Sequence, residues 1–251
     1  MDVFAIGALS IAPGIFWLWF FYKKDTLEPE PKSLIVRMFF FGMLSLVPAA
    51  LAEFPLRGMT FVQLVIAAPI IEECIKFSVV RYAIYSHREF DEPMDGIMYA
   101  IAVALGFASS ENALSILTSY LAPQIALGMS DPVFALGFVW KLYIVRALLT
   151  VPGHAIWSSM WGYAIGWTKF APQQRLSPVL KGILIAIVLH ALFNYLVTYY
   201  IPGAVGMLVL VPVMWRMVYN RIERALAQSP HSRSVQEGSA DEQHPESSDP
   251  G

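Results

Sequence analysis

The sequence predicts an all-α polytopic membrane protein, and its composition and hydropathy pattern argue against a soluble domain. The chain of 251 residues is 57% hydrophobic and 14% charged, whereas a soluble domain carries about 25% charged residues. Its apolar residues form long runs, and about 20 such residues make a helix that crosses a bilayer core. We therefore expect contact with membrane lipids. Because no basic stripe is present, nucleic-acid binding is not expected.

Seven apolar runs are long enough to cross a membrane. The first, 3–22, begins without basic residues and precedes Lys23 and Lys24, which is typical of an uncleaved membrane anchor. Residues 131–150 are also apolar, but Lys141 and Arg146 interrupt them, so we expect an interfacial or re-entrant segment, with an eighth span as the alternative. The other six runs lie near residues 34–52, 60–80, 97–119, 151–168, 182–200 and 202–219.

The distribution of Lys and Arg predicts the orientation, because cytoplasmic loops are enriched in these residues. Basic clusters follow the first, third, fifth and last runs, and the opposite loops contain almost none. Seven spans place all four clusters on one side, with the N-terminus outside the cell membrane and the C-terminus in the cytoplasm. Residues 1–227 then form the transmembrane domain. Residues 228–251 lack aromatic side chains and are predicted to form a disordered cytoplasmic tail.

Ionisable residues inside the apolar runs indicate function, because a charge at the centre of a membrane helix costs about 2.5–3.5 kcal/mol. Glu72, Glu73 and Lys76 lie in the third run, where a Glu72–Lys76 ion pair leaves Glu73 unexplained. Later runs contain Glu111, Asn112, His154, His190 and Asn194. With seven spans, these groups all lie between the midplane and the outer surface. We therefore expect one active site in the outer half of the bilayer.

These residue types together can hydrolyse a peptide bond. A glutamate beside a second carboxylate in a poorly hydrated site can deprotonate the attacking water, and a histidine or an amide can stabilise the oxyanion. The sequence has no HExxH motif and we expect no metal, although His154, His190 and the glutamates are acceptable zinc ligands. The residues alone leave two alternatives, a proton or ion transporter and a non-catalytic scaffold or immunity-type protein.

Four motifs, in order, resemble those of the PrsW family, which belongs with the CAAX prenyl endopeptidases and bacteriocin-immunity-type proteins. They are EECIK at 72–76, FASSEN at 107–112, PGHAIWSSMWGYAIG at 152–166 and HALFN at 190–194. The resemblance covers about residues 25–200. It implies an intramembrane protease of glutamic type. In that family, the activity is the first, extracytoplasmic-side cleavage of a single-pass anti-sigma factor in a stress response.

The resemblance also implies roles for individual side chains. Glu72 and Glu73 match the paired acidic residues of the family, and Glu111 stands where the prenyl endopeptidase branch has a histidine. His190 and Asn194 match the last motif. We predict that Glu72 or Glu73 activates water with the help of Glu111. We assign oxyanion support to His190 and Asn194, and His154 is a further predicted member of the site.

Overall fold

A computed structural model describes residues 3–127, 132–171, 177–198 and 200–232 of the chain. Within these ranges the protein forms α-helices and no β-strand, which confirms the predicted all-α class. The eight described α-helices are α1 (Val3–Tyr22), α2 (Lys32–Glu53), α3 (Ala68–Ala83), α4 (Pro93–Leu127), α5 (Pro132–Val145), α6 (Val151–Phe170), α7 (Ser177–Thr198) and α8 (Tyr200–Ala227).

Several of these helices can cross a membrane. By length and composition, four described helical stretches qualify: Lys32–Leu56, Pro93–Tyr120, Ser177–Thr198 and Val205–Ala227. Helix α1 contributes a shorter apolar stretch, and most of α6 is buried by its neighbours. A helix surrounded by other helices does not need an apolar surface facing lipid. The protein is therefore a membrane protein. Three finer features stay predictions: the seven spans, the orientation of the termini and the position of the site in the outer half of the bilayer.

The segment predicted to be interfacial or re-entrant is helical where the structure describes it. Helix α5 covers most of residues 132–150, and a π-helical turn at Arg146–Thr150 joins it directly to α6. The predicted tail also begins within the described chain. Residues 228–232 continue in turns after α8, and residues 233–251 lie outside the described ranges.

Two π-helical turns precede α3, which carries Glu72, Glu73 and Lys76, and α6, which carries His154. The turn at Val62–Ala67 leads into α3, which has Pro69 in its first turn, and the turn at Arg146–Thr150 leads into α6, which has Pro152 there. Proline lacks an N–H group and its ring clashes with the carbonyl one turn earlier. The wider π turn accommodates this interruption, and such turns are frequent at functional sites.

Glycines allow the central helix α4 to approach its neighbours at backbone distance. A Cβ atom at Gly106 of α4 would lie 1.9 Å from the carbonyl oxygen of Phe39 in α2. A Cβ atom at Gly42 of α2 would lie 2.0 Å from the carbonyl oxygen of Val103. Small residues at such crossings allow close packing between membrane helices. The position of α4, which carries Glu111, therefore depends on these two glycines.

Replacing either glycine should separate α2 from α4. We expect Gly106→Ala and Gly42→Ala each to destabilise the protein by about 2–3 kcal/mol, which lowers the melting temperature in detergent by roughly 5–10 °C. Gly7→Ala is the matched control, because a Cβ atom there meets nothing within 4 Å. Unchanged melting temperatures for both core variants would contradict the proposed role of the glycines.

Candidate active site

Helices α3, α4, α6 and α7 surround a cavity of about 330 Å³. Five of the six predicted site residues line this cavity, namely Glu72, Glu111, His154, His190 and Asn194. The sixth, Glu73, is completely buried and lies within 3.4 Å of His190. The structure thus brings together the groups that sequence reasoning placed in one layer.

Lys76 holds both glutamates of α3. Its Nζ atom lies 2.7 Å from Glu73 Oε1 and 3.4 Å from Glu72 Oε2. All three side chains are buried, and a buried charge is tolerated only when it is paired. The predicted Glu72–Lys76 ion pair is therefore present, but the interpretation that it leaves Glu73 unexplained is wrong, because Glu73 is the closer partner of Lys76.

Glu73 is anchored by three helices. Its Oε2 atom accepts hydrogen bonds from Ser158 Oγ at 2.8 Å and from Trp161 Nε1 at 3.0 Å, both in α6. Its Oε1 atom contacts Lys76, and His190 Nδ1 of α7 lies 3.4 Å away. Since both oxygens are occupied, the geometry favours a positioning role for Glu73 and leaves Glu72 as the glutamate of α3 that faces the cavity.

Each histidine has one ring nitrogen beside a supporting carboxylate, Glu111 for His154 and Glu73 for His190. The other ring nitrogen of each histidine is directed toward Glu72. His154 Nε2 lies 3.1 Å from Glu111 Oε2, and His154 Nδ1 lies 3.8 Å from Glu72 Oε2. His190 Nδ1 faces Glu73, and its Nε2 lies 4.0 Å from the same Glu72 oxygen. A carboxylate partner favours the N–H tautomer at the nitrogen it contacts. His190 Nε2 is then left to act as an acceptor or a ligand. His154 Nδ1 accepts a hydrogen bond from Lys76 Nζ at 2.9 Å, which a metal ion at that nitrogen would have to displace.

The group formed by Glu72, His154 and His190 fits a divalent metal. Their ligand atoms all lie within 4.8 Å of one another, and Glu72 Oε2 is buried without a hydrogen-bond partner. One glutamate and two histidines form a known catalytic zinc set. Metal-bound histidines usually donate their other N–H to a carboxylate, which is the arrangement that Glu73 and Glu111 provide. A metal is therefore compatible with this site.

Sequence reasoning treated Arg146 only as an interruption of an apolar segment, yet it belongs to the site. Its Nη2 atom lies 2.9 Å from Glu111 Oε1, and its Nε atom donates to Asn112 Oδ1 at 3.0 Å. Asn112 in turn donates to the backbone carbonyl of Ser10 at 2.9 Å. An arginine in an apolar segment is costly unless it is paired. That cost was the signal that should have linked Arg146 to Glu111.

Helix α6 contributes further residues that were not predicted. Ser158 and Trp161 follow the predicted His154 at helical spacing, so all three lie on one face, and both new residues donate to Glu73. Trp157 stacks its ring on His190 with centroids 4.0 Å apart. The spacing was visible in the sequence, although serine and tryptophan alone do not indicate a site.

Asn194 has a partner outside the cluster. Its Nδ2 atom donates to the carbonyl oxygen of Leu64 at 2.9 Å, within the π turn that precedes α3. The residue lines the cavity and is partly buried. Its predicted oxyanion role stays a prediction.

Comparison with known proteins identifies the family. Residues 30–217 match a family described as PrsW family intramembrane metalloprotease. The chain belongs to the PrsW family. Protease PrsW of Geobacillus kaustophilus (strain HTA426) is 34% identical over 199 residues, which cover 77% of this chain and 80% of that protein. Protease PrsW of Bacillus subtilis (strain 168) is 30% identical over 202 residues, or 78% and 84% of the two chains. No solved structure matches this PrsW-family chain.

Membership of the PrsW family confirms the resemblance seen in the four motifs. The protein is a membrane peptidase, a hydrolase that acts on peptide bonds and has a protein substrate. The cavity and the two carboxylate–histidine pairs are thus features of a proteolytic enzyme.

In this PrsW-family protein, Glu111 should act through His154, and Arg146 should act through Glu111. Glu111→Gln and Arg146→Gln are each expected to lower the cleavage rate about 10- to 100-fold, because outer partners of a ligating histidine have effects of that size. In the double variant the losses should not add. Lys141→Gln, which removes the exposed lysine of α5, should leave the rate unchanged. Additive losses in single-turnover cleavage would show that the two side chains act separately.

Proposed function

We propose that this protein is a metal-dependent intramembrane endopeptidase that cleaves a membrane-anchored protein in the cavity lined by Glu72, His154 and His190. One observation carries the proposal: three ligand atoms from three helices converge within 4.8 Å, and one of them, Glu72 Oε2, is buried without a hydrogen-bond partner. The metalloprotease description of the family supports it.

We assign a role to each cavity residue from its position. A zinc ion held by Glu72, His154 and His190 would polarise the scissile carbonyl and make water more acidic. Glu111 lines the cavity, and its two oxygens face Arg146 Nη2 and His154 Nε2, so its carboxylate would orient His154 as a ligand. Asn194 uses one N–H for Leu64, and its second N–H can donate to the oxyanion.

The proposed substrate is a single-pass membrane protein. The motif resemblance implies an anti-sigma factor, which would be cleaved first on its extracytoplasmic side. The charge distribution of the loops supports this side, because it places the cavity residues in the outer half of the bilayer. A helical segment in a membrane keeps its backbone hydrogen-bonded internally. The cavity must therefore receive a segment that is locally unwound near the membrane surface.

A second mechanism, glutamic and metal-free, is favoured by the position of Lys76. Its Nζ atom lies 2.9 Å from His154 Nδ1 and 3.4 Å from Glu72 Oε2, so a cation of the chain itself already lies against the proposed ligand atoms. In this mechanism Glu72 would deprotonate water directly, with Lys76 balancing the charge.

Metal content and cleavage measured on the same protein separate the two mechanisms. We expect about one zinc ion per chain in the purified enzyme and loss of cleavage on chelation. Glu72→Gln and His190→Ala should lose the metal and at least about 10³-fold in rate, because the metal contributes several kcal/mol to transition-state stabilisation. His87→Ala is the matched histidine control and should keep both. Full cleavage by metal-free protein would establish the glutamic mechanism instead.

Glu73→Gln distinguishes positioning from water activation. Because Glu73 orients Lys76 and His190, we expect a rate about 10- to 100-fold lower and weaker zinc affinity, well short of the loss in Glu72→Gln. Steady-state cleavage and zinc titration measure both effects. If Glu73→Gln were inactive while it retained its zinc affinity, Glu73 would itself take part in the reaction.

A further inference from the structure

A second group of acids lies at the other end of the helix bundle. The acidic cluster consists of Asp25, Glu30, Glu92 and Asp95, and each of these residues is between 0% and 3% exposed. They come from the α1–α2 connection, the α3–α4 connection and the first turn of α4. Asp95 lies about 24 Å from Glu111 along the axis of α4. The acidic cluster is therefore separate from the peptidase cavity.

Lysine and arginine side chains in the described part of the chain form no ion pair with the four carboxylates of this cluster. Lys169 interacts electrostatically with Asp95, but its Nζ atom donates to the backbone carbonyls of Tyr85 and Phe90. Buried carboxylates without an ion-pair partner are costly, because water no longer stabilises their charge. Protons or a bound cation must therefore balance most of the negative charge of the cluster.

Several carboxylate oxygens in the acidic cluster accept no hydrogen bond, although others do. Tyr99 donates to Glu30 Oε2, Ser229 donates to Glu92 Oε2, and two backbone N–H groups donate to Asp95 Oδ2 at 2.7 Å. Both oxygens of Asp25, Glu30 Oε1 and Glu92 Oε1 are buried without a hydrogen-bond partner. Each of these atoms needs either a proton or a metal ion.

Mutual repulsion adds to the cost of burial, since a nearby like charge disfavours the ionised form of a carboxyl group. Ionising several carboxylates of the cluster together is therefore unfavourable in the folded protein unless a cation accompanies them.

A cavity with room for a cation adjoins the cluster. Its volume is about 70 Å³, and one buried water needs about 10–15 Å³. Its acidic lining residues are Glu28, Glu30, Glu89, Asp91 and Asp95. Glu30 therefore brings a nine-tenths buried carboxylate with an unpartnered oxygen to this cavity. At the rim, ligand atoms of Glu28, Asp91 and His231 lie within 4.8 Å of one another.

We propose that this cavity binds a hard divalent cation, Mg²⁺ or Ca²⁺, through the carboxylates of Glu28, Glu30, Asp91 and Asp95. Carboxylate oxygens are the ligands that these ions prefer. Pro29 and Pro31 restrict the backbone around Glu30. Asp91 lies just before α4, and Asp95 lies in its first turn. The cation stabilises the junction of the α1–α2 connection with α4.

The same site includes the end of α8. His231 Nε2 lies 2.6 Å from Glu28 Oε2, and Ser229 donates to Glu92. A cation bound at Glu28 and Asp91 therefore also stabilises the segment that follows α8. This cation site is independent of the peptidase proposal, because none of its ligands lines the peptidase cavity.

The proposal can be tested by measuring the melting temperature of the full chain in detergent. The parent protein for this test carries Glu72→Gln, so that metal binding at the peptidase site does not contribute to the response. After chelation, Mg²⁺ or Ca²⁺ should raise the melting temperature by several degrees with a saturable dependence. Mn²⁺ used as a spectroscopic probe should bind at one per chain. Adding Glu30→Gln and Asp95→Asn should abolish both responses. Glu223→Gln, an exposed acid on α8, is the matched control and should retain them.

The Glu30→Gln, Asp95→Asn variant also tests the proposal when no cation is present. Glu30→Gln with Asp95→Asn removes a repelling pair, so in chelator its melting temperature should equal or exceed that of the parent. If Mg²⁺ and Ca²⁺ left the melting temperature of the Glu72→Gln parent unchanged and no Mn²⁺ bound, the cation site would be overturned in favour of carboxyl groups that share protons.

Discussion

The candidate active site depends on the complete burial of one charged group, the Glu73 carboxylate. Removing such a charge from water costs several kcal/mol, and the chain offsets this cost with Lys76 from the same helix and with Ser158 and Trp161 from α6. Because these partners lie on different helices, satisfying the carboxylate also fixes the position of α3 against α6. His190 of α7 lies against the same carboxylate, so the orientation of a proposed ligand follows from the same interaction.

The two π turns extend this arrangement to the cavity wall. Each turn ends just before the helix that presents a proposed ligand, Glu72 in α3 and His154 in α6. Each also has a polar contact to the site, since Asn194 binds a carbonyl in the first turn and Arg146, the first residue of the second, pairs with Glu111. The widened backbone and the ligand positions are thus held by the same side chains.

The sequence allowed prediction of features that depend on local pattern. Apolar runs located α1, α2, α6 and α7 to within a few residues, because helix length is set by the membrane. Rare ionisable residues in the apolar runs marked the cavity. The contacts of Ser158 and Trp161 could not be predicted, since hydrogen bonding to Glu73 depends on how α6 is rotated against α3. The ligand arrangement of His154 and His190 likewise depends on which ring nitrogen faces a carboxylate, and tertiary packing alone decides that.

Charge balance connects the two ends of the bundle. Across about 24 Å, unit charges interact by only about 0.7 kcal/mol at an effective dielectric constant near 20, so each end must neutralise its own carboxylates. The peptidase end has four carboxylates, Glu53, Glu72, Glu73 and Glu111, and three basic side chains, Arg57, Lys76 and Arg146. The acidic cluster has four carboxylates and, among the described residues, no basic ion-pair partner. Both ends therefore lack positive charge, and the shortfall is larger where no catalytic chemistry is proposed. A need to neutralise buried acids is thus a separate reason for this fold to bind cations.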